Sequence, residues 1–148
     1  MLAEITDPGG LFAELARLDL PRGEFVVCGS AVLFVRGLHA RIADLDILAR
    51  GPAWRAALAL AEPVPTFSGH GLAIHHPRLP IEIVDQWTEG WDTDDLIENA
   101  DVIDGIRFMA LRHVFAWKQR AARPKDLPDI AAIRSLYALW TRPVSQDQ

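Results

Sequence analysis

The chain has 148 residues, half of them hydrophobic and 24% charged, with a net charge of -5. That is enough chain for one domain with a real core, and the acidic balance excludes a protein that coats nucleic acid nonspecifically. Cys28 is the only cysteine, which excludes an internal disulfide and a thiolate metal cage.

Gly10 to Leu18 places Leu11, Leu15 and Leu18 at helical spacing with Phe12 beside them, and Asp7-Pro8 precedes them as a start signal. A short packing helix is predicted there, ended by Pro21-Arg22-Gly23. Glu24 to Cys28 is a β-branched and aromatic run, predicted to be a buried strand. Ser30 to Gly37 reads as a helix with its apolar residues toward the sheet and Gly37 as its C-cap. Ala43 to Leu48 is the next strand, with Leu45 and Ile47 on the face opposite Asp44 and Asp46. Pro52 suits the first turn of a helix running through Ala61. Pro63 and Pro65 punctuate a loop or short edge strand.

Gly69 to His75 and Pro80 to Asp85 read as two further strands, joined through a turn at Pro77. Trp87 to Asp95 is polar and irregular and is expected to form a flap. Ile103 to Phe108 turns back at Asp104-Gly105, as a small hairpin does. Two helices close the chain. In the first, Leu111, Val114, Phe115, Lys118 and Ala122 share one stripe, and Arg123-Pro124 breaks it. In the second, Asp126 is the expected cap, Pro128 lies in the first turn and Asp129 at the third position. Ile130, Ile133, Tyr137 and Trp140 form its apolar face. No repeat, linker, basic-then-apolar leader or bilayer-length apolar run interrupts this order, so one α/β domain over residues 1–148 is expected, off the membrane and cytoplasmic.

The chemistry concentrates between Val26 and Leu48. Asp44 and Asp46 are one residue apart on a predicted strand, so both carboxylates face one side. Like charges held together repel, and a divalent metal is the usual compensation. Gly29-Ser30, a turn feeding a helix, is a natural phosphate cradle. A third carboxylate would be needed to ligate two ions. Glu82, between Ile81 and Ile83, is preferred for it over Asp85, which lies on the opposite face of that strand. Lys118, Arg123 and Lys125 make a local basic cluster suited to a triphosphate or a polyanionic acceptor. The five histidines contain no HxxxH or HExxH spacing, and adjacent His75 and His76 point to opposite faces of a strand, so no histidine zinc site is expected. GxGxxG and the P-loop pattern are both missing.

GSAVLFVRGLHARIADLDIL, then IEIV, then KQRAARPKDLPDI, resembles the DNA polymerase β-like nucleotidyltransferase superfamily. More narrowly, it is similar to small bacterial members related to the abortive-infection, type IV toxin nucleotidyltransferases. The superfamily pattern is a Gly-Ser turn before a helix, a DxD strand and a third carboxylate on a neighbouring strand. The subgroup adds a helical lysine and an Arg-x-Lys-Asp-x-x-Asp pattern, matched by Lys118, Arg123, Lys125, Asp126 and Asp129. Two positions depart from it. Ile42 stands where a threonine or serine often precedes the DxD, and Glu82 stands where an aspartate is common.

The resemblance implies a nucleotidyltransferase fold: an α/β (α+β) domain whose mixed central sheet is flanked by helices, with two C-terminal helices. It implies transfer of a nucleoside monophosphate from an NTP to an acceptor, which could be tRNA, a protein or a small molecule. Asp44, Asp46 and Glu82 would hold Mg2+ or Mn2+. Gly29, Ser30, Lys118, Arg123 and Lys125 would bind the nucleotide, with Asp85, Asp126 and Asp129 in support. A toxin-antitoxin partner protein is a further implication. The alternative is a catalytically idle relative that binds nucleotide or a protein partner.

Overall fold

The computed structural model describes residues 7–141. The chain divides after Ala110 into two compact units, and among the described residues the first carries all the strands. Its sheet has seven strands: β1 (Phe25–Cys28), β2 (Leu45–Ala49), β3 (Val64–Pro65), β4 (Leu72–His75), β5 (Ile81–Val84), β6 (Asp101–Ile103) and β7 (Ile106–Phe108). Their spatial order is β3-β4-β5-β2-β1-β7-β6. The sheet is mixed. β1 runs antiparallel to β2 and parallel to β7, and β2 runs parallel to β5. Central strands in such a sheet are covered on both faces and need continuous apolar runs. Accordingly every residue of β1 is buried, and so are Leu45, Ile47, Leu48 and Ala49 in β2.

Among the described residues this unit has four α-helices: α1 (Leu11–Leu18), α2 (Ser30–Val35), α3 (Gly51–Ala57) and α4 (Thr93–Glu98). Asp7 supplies the start of α1 from a distance, its carboxylate accepting from the Phe12 and Ala13 amides at 2.8 and 3.0 Å. Phe12 then stacks on Phe34 of α2 and meets Phe108 of β7, with ring centroids 6.2 and 6.4 Å apart. One aromatic therefore ties two helices to the sheet. At the far end of α2 the Leu38 amide reaches back to the Leu33 carbonyl and Gly37 adopts φ 76°. This left-handed closure is the one a glycine C-cap allows.

Two expectations change here. α3 stops at Ala57 rather than Ala61, because the Ala59 and Leu60 amides bond three residues back, to Ala56 and Ala57. A tightened last turn of this kind ends a helix, and Pro63 bars its resumption. The end of the expected flap at Asp95 falls inside a helix, Thr93–Glu98, started by Asp92, whose carboxylate accepts from the Asp95 amide at 2.8 Å. An N-cap aspartate outweighs the polarity of the residues it precedes.

Glu14 is an acidic residue buried on α1, and its satisfaction fixes the β4–β5 turn. It takes hydrogen bonds from Arg17 and from His76 Nε2. His76 Nδ1 accepts from the Arg78 and Leu79 amides at 3.1 and 3.0 Å, so Nε2 carries the proton. The bonds from Arg17, then from His76, hold the Glu14 carboxyl at about 2, against an ordinary 4.5. A lowered carboxyl pKa stabilises the fold above the unfolded value, and that stability disappears as pH falls from about 4.5 toward about 2. Glu14→Gln is therefore expected to melt lower than the wild type at pH 7, with the difference shrinking through this acid window. Thermal melts at stepped pH measure it, and a constant difference down to pH 2 would refute the linkage.

The second unit is a helical hairpin of α5 (Leu111–Ala121) and α6 (Leu127–Trp140), joined by a 3-10 turn over Pro124–Asp126. Asp126 does not cap α6 with its side chain as expected. Its carboxylate turns back instead to the Arg123 amide at 3.1 Å, closing the short turn before the helix. Phe115 and Tyr137 meet edge to face at 5.6 Å within the hairpin. Trp140, expected on the apolar face, is 56% exposed. Among the described residues no helix is long and apolar enough to cross a membrane.

Candidate active site

β2 is flanked by β1 on one side and β5 on the other, and three acidic residues of the first unit meet there. Asp44 immediately precedes β2 and is exposed, Leu45 is buried, and Asp46 is half-buried. Asp44 thus lies outside the strand expected to carry it, and the two carboxylates are brought together by the cleft that both line. In the parallel β2–β5 pair Asp46 is the direct partner of Glu82. In the antiparallel β4–β5 pair Glu82 is the direct partner of His75. Asp44, Asp46, Glu82 and His75 all line one cleft of about 320 Å³ with Leu79, Pro80 and Ile81, and His76, expected on the opposite face from His75, lines it too.

The turn after β1 presses against this rim. Gly29 has φ 68° and ψ -148°, a conformation almost reserved for glycine. A Cβ there would lie 2.9 Å from Asp46 Oδ2. The backbone can approach the carboxylate only because no side chain intervenes. Ser30 follows as the first residue of α2, so Gly29, Ser30 and Asp46 belong to one locality. Cys28 is the register partner of Asp46 and is wholly buried. Burial, then the negative charge of Asp46, pushes its thiol well above the usual range. Cys28 is a protonated core residue.

Asp85 belongs elsewhere. Its Oδ1 accepts from the Leu72 amide at 2.8 Å, and it lines a different cleft of about 430 Å³ with Arg50, Trp54 and Trp91. In that cleft Arg50 is held by Glu24, Asp94 and Glu98.

Three carboxylates open on one cleft, and no lysine or arginine is among its lining residues. Carboxylate oxygens are the ligands that Mg2+ and Mn2+ favour. Among the described residues, no group of three or more histidine, cysteine, aspartate or glutamate side chains is placed to hold a metal ion. An ion at this rim would complete its shell with ligand or solvent oxygens, as Mg2+ commonly does.

In the second unit Lys118 and Arg123 have carboxylate partners of their own. Lys118 is 3% exposed, and its Nζ lies 3.2 Å from Asp126 Oδ1 and 2.9 Å from Asp129 Oδ2. Arg123 donates to Asp126 through Nε at 2.7 Å and Nη2 at 3.0 Å. Its guanidinium also lies over the Trp117 ring, 5.1 Å from the centroid. Burial pushes the Asp126 carboxyl up, but the bonds from Arg123 and Lys118 prevail and hold it at about 2. Lys125 is exposed. The Arg-x-Lys-Asp-x-x-Asp spacing therefore builds a buried ion network in which two cations meet two carboxylates.

His75 and His76 are the members of the cleft that sequence reading missed. The period-two alternation of LAIH was visible, but its alignment with Glu82 depends on a strand register that one sequence does not display. No family model matches the chain, and searches of curated proteins and of solved structures return no match either.

Proposed function

We propose that the protein is a metal-dependent nucleotidyltransferase of the polymerase β-like fold, acting at the cleft of Asp44, Asp46 and Glu82. The observation that carries this reading is the direct pairing of Asp46 with Glu82 beside the Gly29-Ser30 turn. Asp44 and Asp46 would hold Mg2+ or Mn2+, which when bound neutralises the triphosphate and stabilises charge developing at the α-phosphorus. Ser30 Oγ and the amides of its turn would donate to phosphate oxygens. Glu82 would take the proton of the acceptor hydroxyl. The acceptor oxygen bonds to the α-phosphorus as the bond to the bridging oxygen breaks, and pyrophosphate leaves.

The test is transfer of label from each α-labelled NTP to bulk tRNA, to protein and to small hydroxyl acceptors, with Mg2+, with Mn2+ and with EDTA. Labelled product and pyrophosphate that vanish with EDTA are expected. A second reading, a nucleotide binder without catalysis, is favoured by the exposure of Asp44 and by Ile42 in place of a hydroxyl residue. An NTP- and metal-dependent rise in melting temperature with no product on any acceptor would select it. No melting shift and no product would remove both.

A further inference from the structure

The charge of the chain is divided at the boundary between its units. Residues 1–110 carry 8 lysines and arginines against 17 aspartates and glutamates, whereas residues 111–148 carry 7 against 3. The acids of the described hairpin are Asp126 and Asp129, both buried and both bonded to Lys118 or Arg123. Every exposed charge of the described hairpin is therefore positive: Arg112, Arg120, Lys125 and Arg134. Among the described residues, no carboxylate pairs with Arg112, Lys125 or Arg134. Arg134 lies over the Phe115 ring, 5.8 Å from its centroid, which holds the guanidinium without using any of its N–H donors. Cations left unneutralised on one element of an acidic chain are the electrostatic footprint of a polyanion.

The apolar surface of the hairpin narrows the choice of polyanion. Leu127 and Leu139 are exposed but twelve residues apart in α6, roughly 18 Å along its axis. They form no continuous stripe of the kind that a lipid surface takes. Trp140 is 56% exposed and offers ring surface on which an unpaired base can stack. We propose that the α5–α6 hairpin is a docking surface for single-stranded RNA, with Arg112, Lys125 and Arg134 meeting its phosphates and Trp140 a base. RNA is the nucleic acid that carries unpaired, unstacked bases in loops and at ends. Docking of this kind needs no chemistry at the cleft of Asp44, Asp46 and Glu82, so it holds or fails apart from nucleotide transfer.

The experiment follows the fluorescence anisotropy of a labelled, mixed-sequence RNA of about 20 nucleotides with the full chain, between about 20 and 200 mM KCl. Three neutralised phosphates give a slope of log affinity against log salt of about -2. Arg112→Gln with Lys125→Gln is expected to flatten that slope to about -0.7, while melting at the wild-type temperature. If the pair of changes unfolds the chain, Lys125→Gln alone, in the exposed turn, should flatten the slope by about 0.7. Trp140→Ala should weaken single-stranded RNA about tenfold and leave duplex RNA unaffected. No RNA binding at the lowest salt overturns the proposal, and so does the same slope in the wild type and in a folded glutamine variant. Polyglutamate that displaces the labelled RNA as well as unlabelled RNA does would assign the surface to an acidic protein instead. Anionic vesicles bound in preference to RNA would assign it to a membrane, and single-stranded DNA bound more tightly than RNA would overturn the choice of RNA.

Discussion

Asp46→Asn is expected to reduce nucleotide transfer by at least about a hundredfold, the scale on which loss of one electrostatic element of a site is felt. The chain should nevertheless remain folded. Asparagine keeps the volume of aspartate and one acceptor oxygen beside Gly29, where space is tight. It also removes a negative charge directly opposite Glu82. Like charges paired across strands destabilise a sheet, so the variant should melt at the wild-type temperature or above it. Activity lost while stability is held or gained is the pattern of a group kept for function at a cost to the fold. Asp44→Asn should follow in the same direction, with a smaller gain in stability because Asp44 is exposed. Transfer assays and thermal melts on the same preparations check both. If Asp46→Asn transferred nucleotide normally with metal present, the site would lie elsewhere. If it melted well below the wild type, Asp46 would be a structural residue.

What a single sequence reveals about this cleft follows from the range of the interactions involved. The meeting of Asp44 and Asp46 in one cleft is legible because their spacing is local. So is the Gly37 cap, and so are the approximate positions of the four central strands β1, β2, β4 and β5. Direct pairing of Asp46 with Glu82, and of Glu82 with His75, is a matter of register between strands far apart in the chain. Hydrophobic pattern restricts such a register without fixing it. Glu82 could be nominated as a lone acid in an apolar strand, while His75 could not. Inside the helical hairpin the difficulty is of another kind. Lys118 lies on the buried stripe and Asp126 just before a helix, and each has a local interpretation, a snorkelling lysine and an N-cap. Tertiary pairing of the two overrides both interpretations. At Thr93–Glu98 the local cap signal was sufficient, and the polarity of the segment hid it.

Lys118→Met should destabilise the protein by about 3–5 kcal/mol, the usual consequence of removing one partner from a buried ion network. Two carboxylates depend on that ammonium. Asp126 has no exposed surface, and Asp129 is 7% exposed. Methionine fills the stem of the lysine but offers neither carboxylate a proton. Arg123 still bonds Asp126 in the variant, so the carboxylate weakened most by the loss of the ammonium is that of Asp129. Neutralising it should therefore recover part of the loss: Lys118→Met with Asp129→Asn is expected to be more stable than Lys118→Met alone. Such a double variant, less damaged than one of its parents, is the mark of direct coupling. Urea unfolding followed by circular dichroism gives all four stabilities of the cycle. The same series separates the two roles open to Lys118. If Lys118→Met unfolds at the wild-type urea concentration yet fails to bind NTP, its charge serves the nucleotide and the resemblance assigns it correctly. If stability falls as expected and Asp129→Asn rescues it, the ammonium is spent on its two carboxylates. The spacing Arg-x-Lys-Asp-x-x-Asp then encodes a clasp between helices, since it sets Asp126 to receive Arg123 and Lys118 together and places Asp129 one helical turn further on.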